Sequence, residues 1–174
     1  MGEIKIPKRV KLIIGMISGD EELFWEAKER LSKRFGEVDF ESTILPFSHT
    51  SYYEKEMGKD LKRCFLSLKD LIDRESLPDI KIFTNQLEDH FSVDGKRRIN
   101  LDPGYVSLDK LILASTKDYR HRIYLKNGVY AEVTLFWRKK EGFKTWEWTY
   151  PDYRTKEYIE IFNRIREIYA KQVS

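Results

Sequence analysis

The order of its apolar segments constrains the fold of this chain more than any other feature. Two segments, 20–35 and 76–92, carry apolar side chains at helical spacing, with Asp20 and Ser76 placed to begin the helices. Apolar segments of strand character precede and follow each of them, at 9–17, 38–45, 61–68 and 97–101. The first hundred residues therefore read β-α-β-β-α-β.

This order predicts a fold in the α+β class. Two β-α-β halves that share one antiparallel sheet form the ferredoxin-like arrangement, and each helix then covers the same face of the sheet. We expect a sheet of at least five antiparallel strands with both helices on one side. The chain has 174 residues, of which 41% are hydrophobic, so residues 1–174 are predicted to form a single globular domain.

The remaining residues are predicted to add a β-hairpin and a C-terminal helix to the ferredoxin-like core. The hairpin strands are 119–125 and 129–137, and the helix spans about 154–170, with an apolar stripe on one side. Residues 107–115 fit either a short helix begun by Ser107 or another strand.

A turn of three residues, 126–128, best separates the two faces of this hairpin. With Gly128 at positive φ, one face carries His121 among apolar side chains, and the other carries Arg122 opposite Glu132. The apolar face is expected to point to the core. The ion pair is expected to be exposed, so that Arg122→Ala would leave the protein folded.

Composition limits the classes of partner. The net charge is +3, and no run of Lys and Arg dominates one segment, so nucleic acid is not an expected partner, whereas a small anionic ligand is compatible with the charge. The single Cys64 excludes an internal disulfide and a cysteine-based zinc site. The apolar run near the N-terminus is too short to span a bilayer, and a cytoplasmic location is predicted. Charged residues make up 35% of the chain, a composition typical of thermophiles.

The tripeptide Asp102-Pro103-Gly104 follows the fourth predicted strand. Its simplest interpretation is a turn, because Pro fixes φ and Gly permits a positive φ. In a functional interpretation, Asp102 points from the strand end into a cleft as a proton acceptor or metal ligand. The two interpretations are compatible.

Candidate catalytic residues are Asp102, Glu132 and His49, of which the first two would hold Mg²⁺ or transfer protons. The three histidines lack the spacing of a metal site, and His49 is favoured only because it lies in a loop.

Candidate ligand-binding residues include the cations Arg98, Lys117 and Arg122, which would neutralise a phosphate. Tyr124, on the same hairpin face as Arg122, belongs to this set. On the second predicted helix a polar face presents either solvated side chains or further ligand contacts; its members are Lys81, Asn85 and Glu88.

Five strings of the sequence resemble an uncharacterised prokaryotic family of unknown function. They are SHTSYYEKEMG, KIFTNQLE, RRINLDPGYVSLDKLILASTKDYRHRIYL, GVYAEVTLFW and EWTYPDYR, and the resemblance extends over nearly the whole chain. Members are sometimes labelled GTP-binding proteins, which implies a nucleotide ligand. A P-loop GTPase is not expected, because Gly15 and Gly19 lack the following Lys and Ser/Thr.

Two hypotheses of function follow. In the first, the protein binds a phosphorylated small molecule or nucleotide, with Mg²⁺-dependent phosphate chemistry left open. In the second, it is a non-catalytic interaction module, its polar residues form a structural network, and the aromatic residues of 143–153 bind a protein partner. The sequence leaves open whether the protein is an enzyme, and its oligomeric state.

Overall fold

The computed structural model describes residues 1–174, which form one antiparallel sheet and four helices. The strands are β1 (Val10–Ser18), β2 (Val38–Glu41), β3 (Leu45–Pro46), β4 (Lys62–Ile72), β5 (Ile99–Val106), β6 (Lys110–Ser115), β7 (Arg122–Lys126), β8 (Val129–Arg138) and β9 (Gly142–Thr145). The helices are α1 (Glu21–Phe35), α2 (Glu54–Met57), α3 (Leu77–Phe91) and α4 (Lys156–Val173).

The nine strands are arranged in the order β2-β4-β1-β5-β6-β8-β7, with β3 beside β4 and β9 beside β8. All strand pairs are antiparallel. This confirms the predicted α+β class and the antiparallel sheet. The sheet has nine strands, whereas a ferredoxin-like core has four. The α+β class alone therefore does not establish the ferredoxin-like topology.

One face of the sheet is covered by α1 and α3, as the sequence predicted. The alternate side chains Leu12, Ile14 and Met16 of β1 pack there against both helices. Asp20 begins α1 by accepting a hydrogen bond from the backbone N–H of Glu22.

The opposite face of the sheet is covered mainly by α4. Tyr158, Phe162 and Ile165 of this helix pack against Ile13 and Phe65 of the two central strands. These helix residues belong to the stripe that the sequence predicted, and Thr155 caps the helix at its first turn.

The expected turn at Asp102-Pro103-Gly104 is wrong, because β5 runs through all three residues. The backbone N–H and C=O groups of successive residues in a strand point to opposite sides, and those of Pro103 point away from β1. On that side β6 pairs with β5 only from Gly104 onward, so position 103 has no strand partner there. A proline, which has no N–H to donate, is tolerated there. Gly104 is needed for another reason: a side chain would clash with the carbonyl oxygen of Ile112 on β6.

The hairpin prediction is wrong in loop length. Lys126 pairs with Val129, so the loop has two residues, Asn127 and Gly128, and the predicted positive φ of Gly128 is confirmed at 76°. An irregularity at Leu125 then restores the predicted opposition of Arg122 and Glu132.

The predicted burial of the hairpin faces is wrong for Ile123 and for the ion pair, although Val129 of the predicted apolar face is buried. Ile123 is exposed, whereas Arg122 and Glu132 are buried. The reason is tertiary: the segment after β9 lies over the polar face, where the hydroxyl of Tyr150 accepts a hydrogen bond from Arg122.

Several element boundaries also differ from the predictions. The second predicted strand divides into β2 and β3, and the third extends to Ile72. Within the ambiguous segment 107–115, residues Lys110–Ser115 form a strand. No helix is both long and apolar enough to cross a membrane.

A candidate ligand-binding site around Asp102

The sheet opens between β5 and β6, and two side chains of α3 fill the gap. β6 pairs with β5 only at residues 104–106, so the backbone of Leu101 has no strand partner on that side. The carboxylate of Glu88 accepts a hydrogen bond from the N–H of Leu101 at 2.6 Å, and Lys81 donates one to its carbonyl oxygen at 3.2 Å. The predicted polar face of α3 is therefore largely buried and replaces part of a missing strand.

Arg63 lies buried on the opposite face of the sheet, with 3% of its side chain exposed. Its guanidinium donates to the carboxylates of Asp102 and Asp152, at 3.1 and 2.9 Å, and to the hydroxyl of Tyr158. Gly15 on the neighbouring strand leaves the necessary space, because a Cβ there would lie 3.0 Å from the guanidinium. All three branches of Arg63 are thus fixed.

Asp102 is the carboxylate of this network that reaches solvent. Its side chain is 25% exposed, whereas that of Asp152 is 8% exposed. Arg63 binds the Oδ2 atom, and no protein group donates to Oδ1. Because a buried arginine holds the carboxylate in place, Asp102 presents one acceptor oxygen in a fixed position.

Two tyrosines, Tyr53 and Tyr150, lie close enough to Asp102 to feel its charge. Burial raises the pKa of Tyr53, and the charge of Asp102 raises it further. Burial likewise raises the pKa of Tyr150, with contributions from Glu132 and Asp102. The two phenol groups that feel the charge of Asp102 therefore stay neutral and retain their protons at physiological pH.

Two buried donors near Asp102 have no partner in the protein. They are the amide Nδ2 of Asn100 and the hydroxyl of Tyr153. Asn100 lies two residues before Asp102 and therefore on the same face of β5. Burial raises the pKa of Tyr153, and Asp102 is among the charges that add to this shift. A buried donor without a partner is unfavourable by about 1–3 kcal/mol, so such groups are rare unless water or a ligand satisfies them.

A second polar cluster surrounds Arg122. Its guanidinium donates to Glu132 at 3.0 Å, to Ser115 at 2.9 Å, to the carbonyl oxygen of Lys117 at 3.0 Å and to the hydroxyl of Tyr150. Only 1% of its side chain is exposed, so the expected exposed ion pair is wrong. Tyr150 joins the two clusters, because it binds Arg122 and senses the charge of Asp102.

The structure brings several of the predicted site residues close to Asp102. The ammonium of Lys117 lies 4.5 Å from the ring centre of Tyr52, the neighbour of Tyr53, and donates to the Tyr52 hydroxyl. His49 is exposed, with its ring 6.3 Å from that of Tyr158. The other predicted residues in this region are Lys81, Glu88, Arg122 and Glu132.

Three predicted residues do not join the site. Arg98 pairs with Asp20 at 2.7 Å, at the beginning of α1. Tyr124 lies on the same face of β7 as Arg122, but it is exposed and packs only on Tyr130 among aromatic neighbours. Asn85 is half-buried and makes no side-chain hydrogen bond.

The sequence interpretation missed Arg63 and Asp152. A usable signal existed, because Arg63 stands within the apolar strand LKRCFLSL, where a charged residue must find buried partners. No comparable signal marks Asp152, which lies in a short 3₁₀ turn among aromatic residues.

Two of the aromatic residues of 143–153 stack on one another. The rings of Trp146 and Trp148 are 5.0 Å apart and nearly parallel, and His121 stacks on the other side of Trp148. His121 also lies 3.2 Å from Glu132 through its Nε2 atom. This column of rings closes the outside of the Arg122 cluster.

No group of three or more His, Cys, Asp or Glu side chains is close enough to hold a metal ion. Two open surface hollows, of about 340 and 500 Å³, flank β2 and lie away from Asp102. The polar groups described above converge elsewhere, and we place the site by that convergence.

The fold and the site define an α+β protein with a cluster of polar groups around Asp102, beside an opening of its antiparallel sheet. Residues 8–169 match the model of a family described as domain of unknown function (DUF4416), and the chain belongs to this family. No curated protein and no solved structure matches the chain.

Proposed function

We propose that this chain is a cytoplasmic protein that binds a small phosphorylated molecule, of the size of a nucleotide or sugar phosphate, in the cleft around Asp102. The observation that carries the proposal is the carboxylate of Asp102, which Arg63 fixes through Oδ2 while Oδ1 has no protein partner. A carboxylate presented in this way accepts hydrogen bonds from hydroxyl or amino groups of a ligand.

The partner groups of the cleft fit the phosphorylated part of such a ligand. Asn100 Nδ2 and the hydroxyl of Tyr153 are unpaired donors, and phosphate oxygens are acceptors. Lys117 adds a positive charge at the rim. A ligand with hydroxyl donors and phosphate acceptors would therefore satisfy both kinds of unpaired group.

The structure changes the roles that the sequence suggested. Four of the five N–H donors of Arg122 are bound within the protein and only 1% of its side chain is exposed, so we assign it to the wall of the site and not to the phosphate. Any Mg²⁺ would be held between Asp102 and the phosphate of the ligand. Asp102 and His49 are the accessible members of the predicted catalytic set, and the proposal is one of binding.

We further propose that residues 10–106 form a ferredoxin-like unit. The strand order β2-β4-β1-β5 and the position of α1 and α3 on one face support this assignment. The cleft would then lie at the edge of that unit, where the C-terminal strands are attached.

The direct test is native mass spectrometry of the purified protein followed by thermal denaturation with candidate ligands. The panel contains inorganic phosphate, adenine and guanine nucleotides and sugar phosphates, each with and without Mg²⁺. We expect at least one to co-purify or to raise the melting temperature. A ligand at about 100 times its Kd stabilises the folded state by about 2.7 kcal/mol.

The variant that decides the location is Asp102→Asn, which removes the charge and keeps the shape. It should abolish the thermal shift, whereas Asp89→Asn, at an exposed position of α3, should retain it. A wild-type protein that responds to no member of the panel would overturn the phosphorylated ligand. An equal response from Asp102→Asn would overturn the location.

A non-catalytic interaction module is the second candidate, and the buried Arg122 cluster favours it. Four of the five N–H donors of Arg122 are used within the protein, as a structural network requires. This candidate predicts no ligand-dependent shift for any member of the panel.

A further inference from the structure

The sheet ends at β2, and the outer edge of this strand is uncovered. β2 pairs only with β4, so its outer edge presents unpaired backbone groups. The hollow of about 500 Å³ lies on the α4 side of β2, and the hollow of about 340 Å³ lies on the α1 side. There is thus open space on both sides of the plane into which the sheet would continue.

The two hollows differ in chemistry. On the α4 side, Phe40, Leu45 and Ile161 supply apolar surface, and three glutamates stand around one arginine at the rim; these are Glu157, Glu160, Glu167 and Arg164. On the α1 side the lining is mainly polar and includes Ser32, the ion pair of Lys28 with Glu41, and Glu29, which has no ion-pair partner. An added strand would therefore need apolar side chains towards α4 and polar or basic ones towards α1.

The N-terminal segment, residues 1–8, has this alternation. It reads MGEIKIPK, and it is exposed throughout without regular secondary structure. Ile4 and Ile6 are fully exposed, and Lys5 stands between them. In an extended strand, the two isoleucines point to one side and Lys5 to the other. Pro7 limits the pairing to the residues before it, because it has no N–H to donate.

Charge supports the same pairing. The N-terminal segment carries Lys5 and Lys8 against Glu3 alone, and its one ion pair, Lys5 with Glu3, is highly exposed and contributes little. The glutamates on the α4 side include Glu157 and Glu167, neither of which has an ion-pair partner in the chain. Lys8 alternates to the same side as Ile4 and Ile6, so its charge lies towards these glutamates, and a basic, apolar strand is complementary to this acidic, apolar groove.

We propose that the N-terminal segment of a second copy of this chain adds to β2 as an edge strand, which makes a homodimer by reciprocal exchange. Ile4 and Ile6 cover Phe40, Leu45 and Ile161, and Lys5 faces Glu29 on the α1 side. Main-chain hydrogen bonds supply the affinity, and the alternating pockets select the sequence, as in other cases of strand addition. The proposal is independent of the ligand site at Asp102.

The test is analytical ultracentrifugation of the full chain and of a variant lacking residues 2–8. We expect the full chain to sediment at twice its monomer mass and the shortened variant at the monomer mass. A fluorescent peptide of residues 2–8 should bind the shortened variant, and Glu157→Lys together with Glu160→Lys should weaken that binding by at least about tenfold, as expected for loss of complementary charge.

Matched controls separate this surface from other exposed apolar ones. Ile4→Asp with Ile6→Asp should give a monomer, whereas Ile123→Asp on β7, the opposite edge of the sheet, should leave the dimer intact. A monomeric full chain would overturn the proposal, including the case in which the segment docks on its own β2. So would a dimer that survives deletion of residues 2–8 or is lost with Ile123→Asp.

Discussion

The Arg63 and Arg122 clusters are alike in composition and differ in their access to solvent. Each has a buried guanidinium bound to a carboxylate and to a tyrosine hydroxyl. Around Arg122 the carboxylate, Glu132, is 2% exposed. Around Arg63 one carboxylate, Asp102, is 25% exposed and keeps an oxygen free.

This difference teaches how to distinguish a structural network from a binding site. A buried arginine is by itself uninformative, because its desolvation must be offset by carboxylates in either case. The informative group is the carboxylate partner. A carboxylate that is enclosed by protein groups has no acceptor left for a ligand. A carboxylate with a free, exposed oxygen presents that oxygen to a ligand.

The largest expected effect is that of Arg63→Met. It leaves two carboxylates, Asp102 and Asp152, close together without their shared cation. Breaking a buried ion pair from one side destabilises by about 3–5 kcal/mol, and we expect the upper end of this range. Urea denaturation measures the change in the free energy of unfolding.

A triple variant provides the control for Arg63→Met. Adding Asp102→Asn and Asp152→Asn removes the stranded charges and should recover a large part of the lost stability. If the triple variant is no more stable than Arg63→Met, lost packing and not charge explains the effect, and the comparison of the two clusters loses its electrostatic basis.

A smaller loss is expected for Arg122→Met, near the lower end of about 3–5 kcal/mol. Only one carboxylate, Glu132, is left, and His121 remains 3.2 Å from it as a donor. The same denaturation experiment measures this loss. If Arg122→Met lowers the free energy of unfolding more than Arg63→Met does, the comparison of the two clusters is wrong.

The smallest effect concerns Glu88, the carboxylate that binds Leu101 beside the cleft. Burial raises the pKa of Glu88 above its usual value. The folded protein therefore binds this proton more tightly than the unfolded chain. The stabilisation from the proton is full below the unfolded pKa, near 4.5, and is lost as pH rises through the folded pKa.

Glu88→Gln isolates this contribution, since it removes one titrating group and keeps an acceptor for Leu101. The unfolding free energy of the wild type minus that of Glu88→Gln should fall as pH rises from 4.5 upwards. Denaturation at several pH values measures the difference. A difference that rises with pH would mean that Arg97 and Lys81 outweigh burial.

Local elements of the fold were predictable from the sequence because their signals are local. Asp20 and the spacing of Leu23 and Leu31 predict α1, and the stripe that includes Tyr158 and Phe162 predicts α4. The antiparallel sheet followed from the order of these elements. The length of the hairpin loop was not predictable. A two-residue loop with an irregularity at Leu125 pairs Arg122 with Glu132, as a three-residue loop would.

The candidate site was predictable in part. Asp102, Lys81 and Glu88 were selected from their chemistry, and all three lie at the opening of the sheet. The reason assigned to Asp102 was wrong, since no turn is present. Arg98 was selected for its charge alone, and it pairs with Asp20 elsewhere.

By itself, the sequence determined the type and order of the main elements, because helical and strand periodicity are properties of neighbouring residues. Only the tertiary structure decided which polar groups are buried. Arg122 and Glu132 are enclosed because Tyr150 and the segment around it fold over their face, and Arg63 meets Asp102 and Asp152 across sequence separations of 39 and 89 residues. Burial and pairing depend on such distant contacts, and hydrophobic periodicity within one strand carries no information about them.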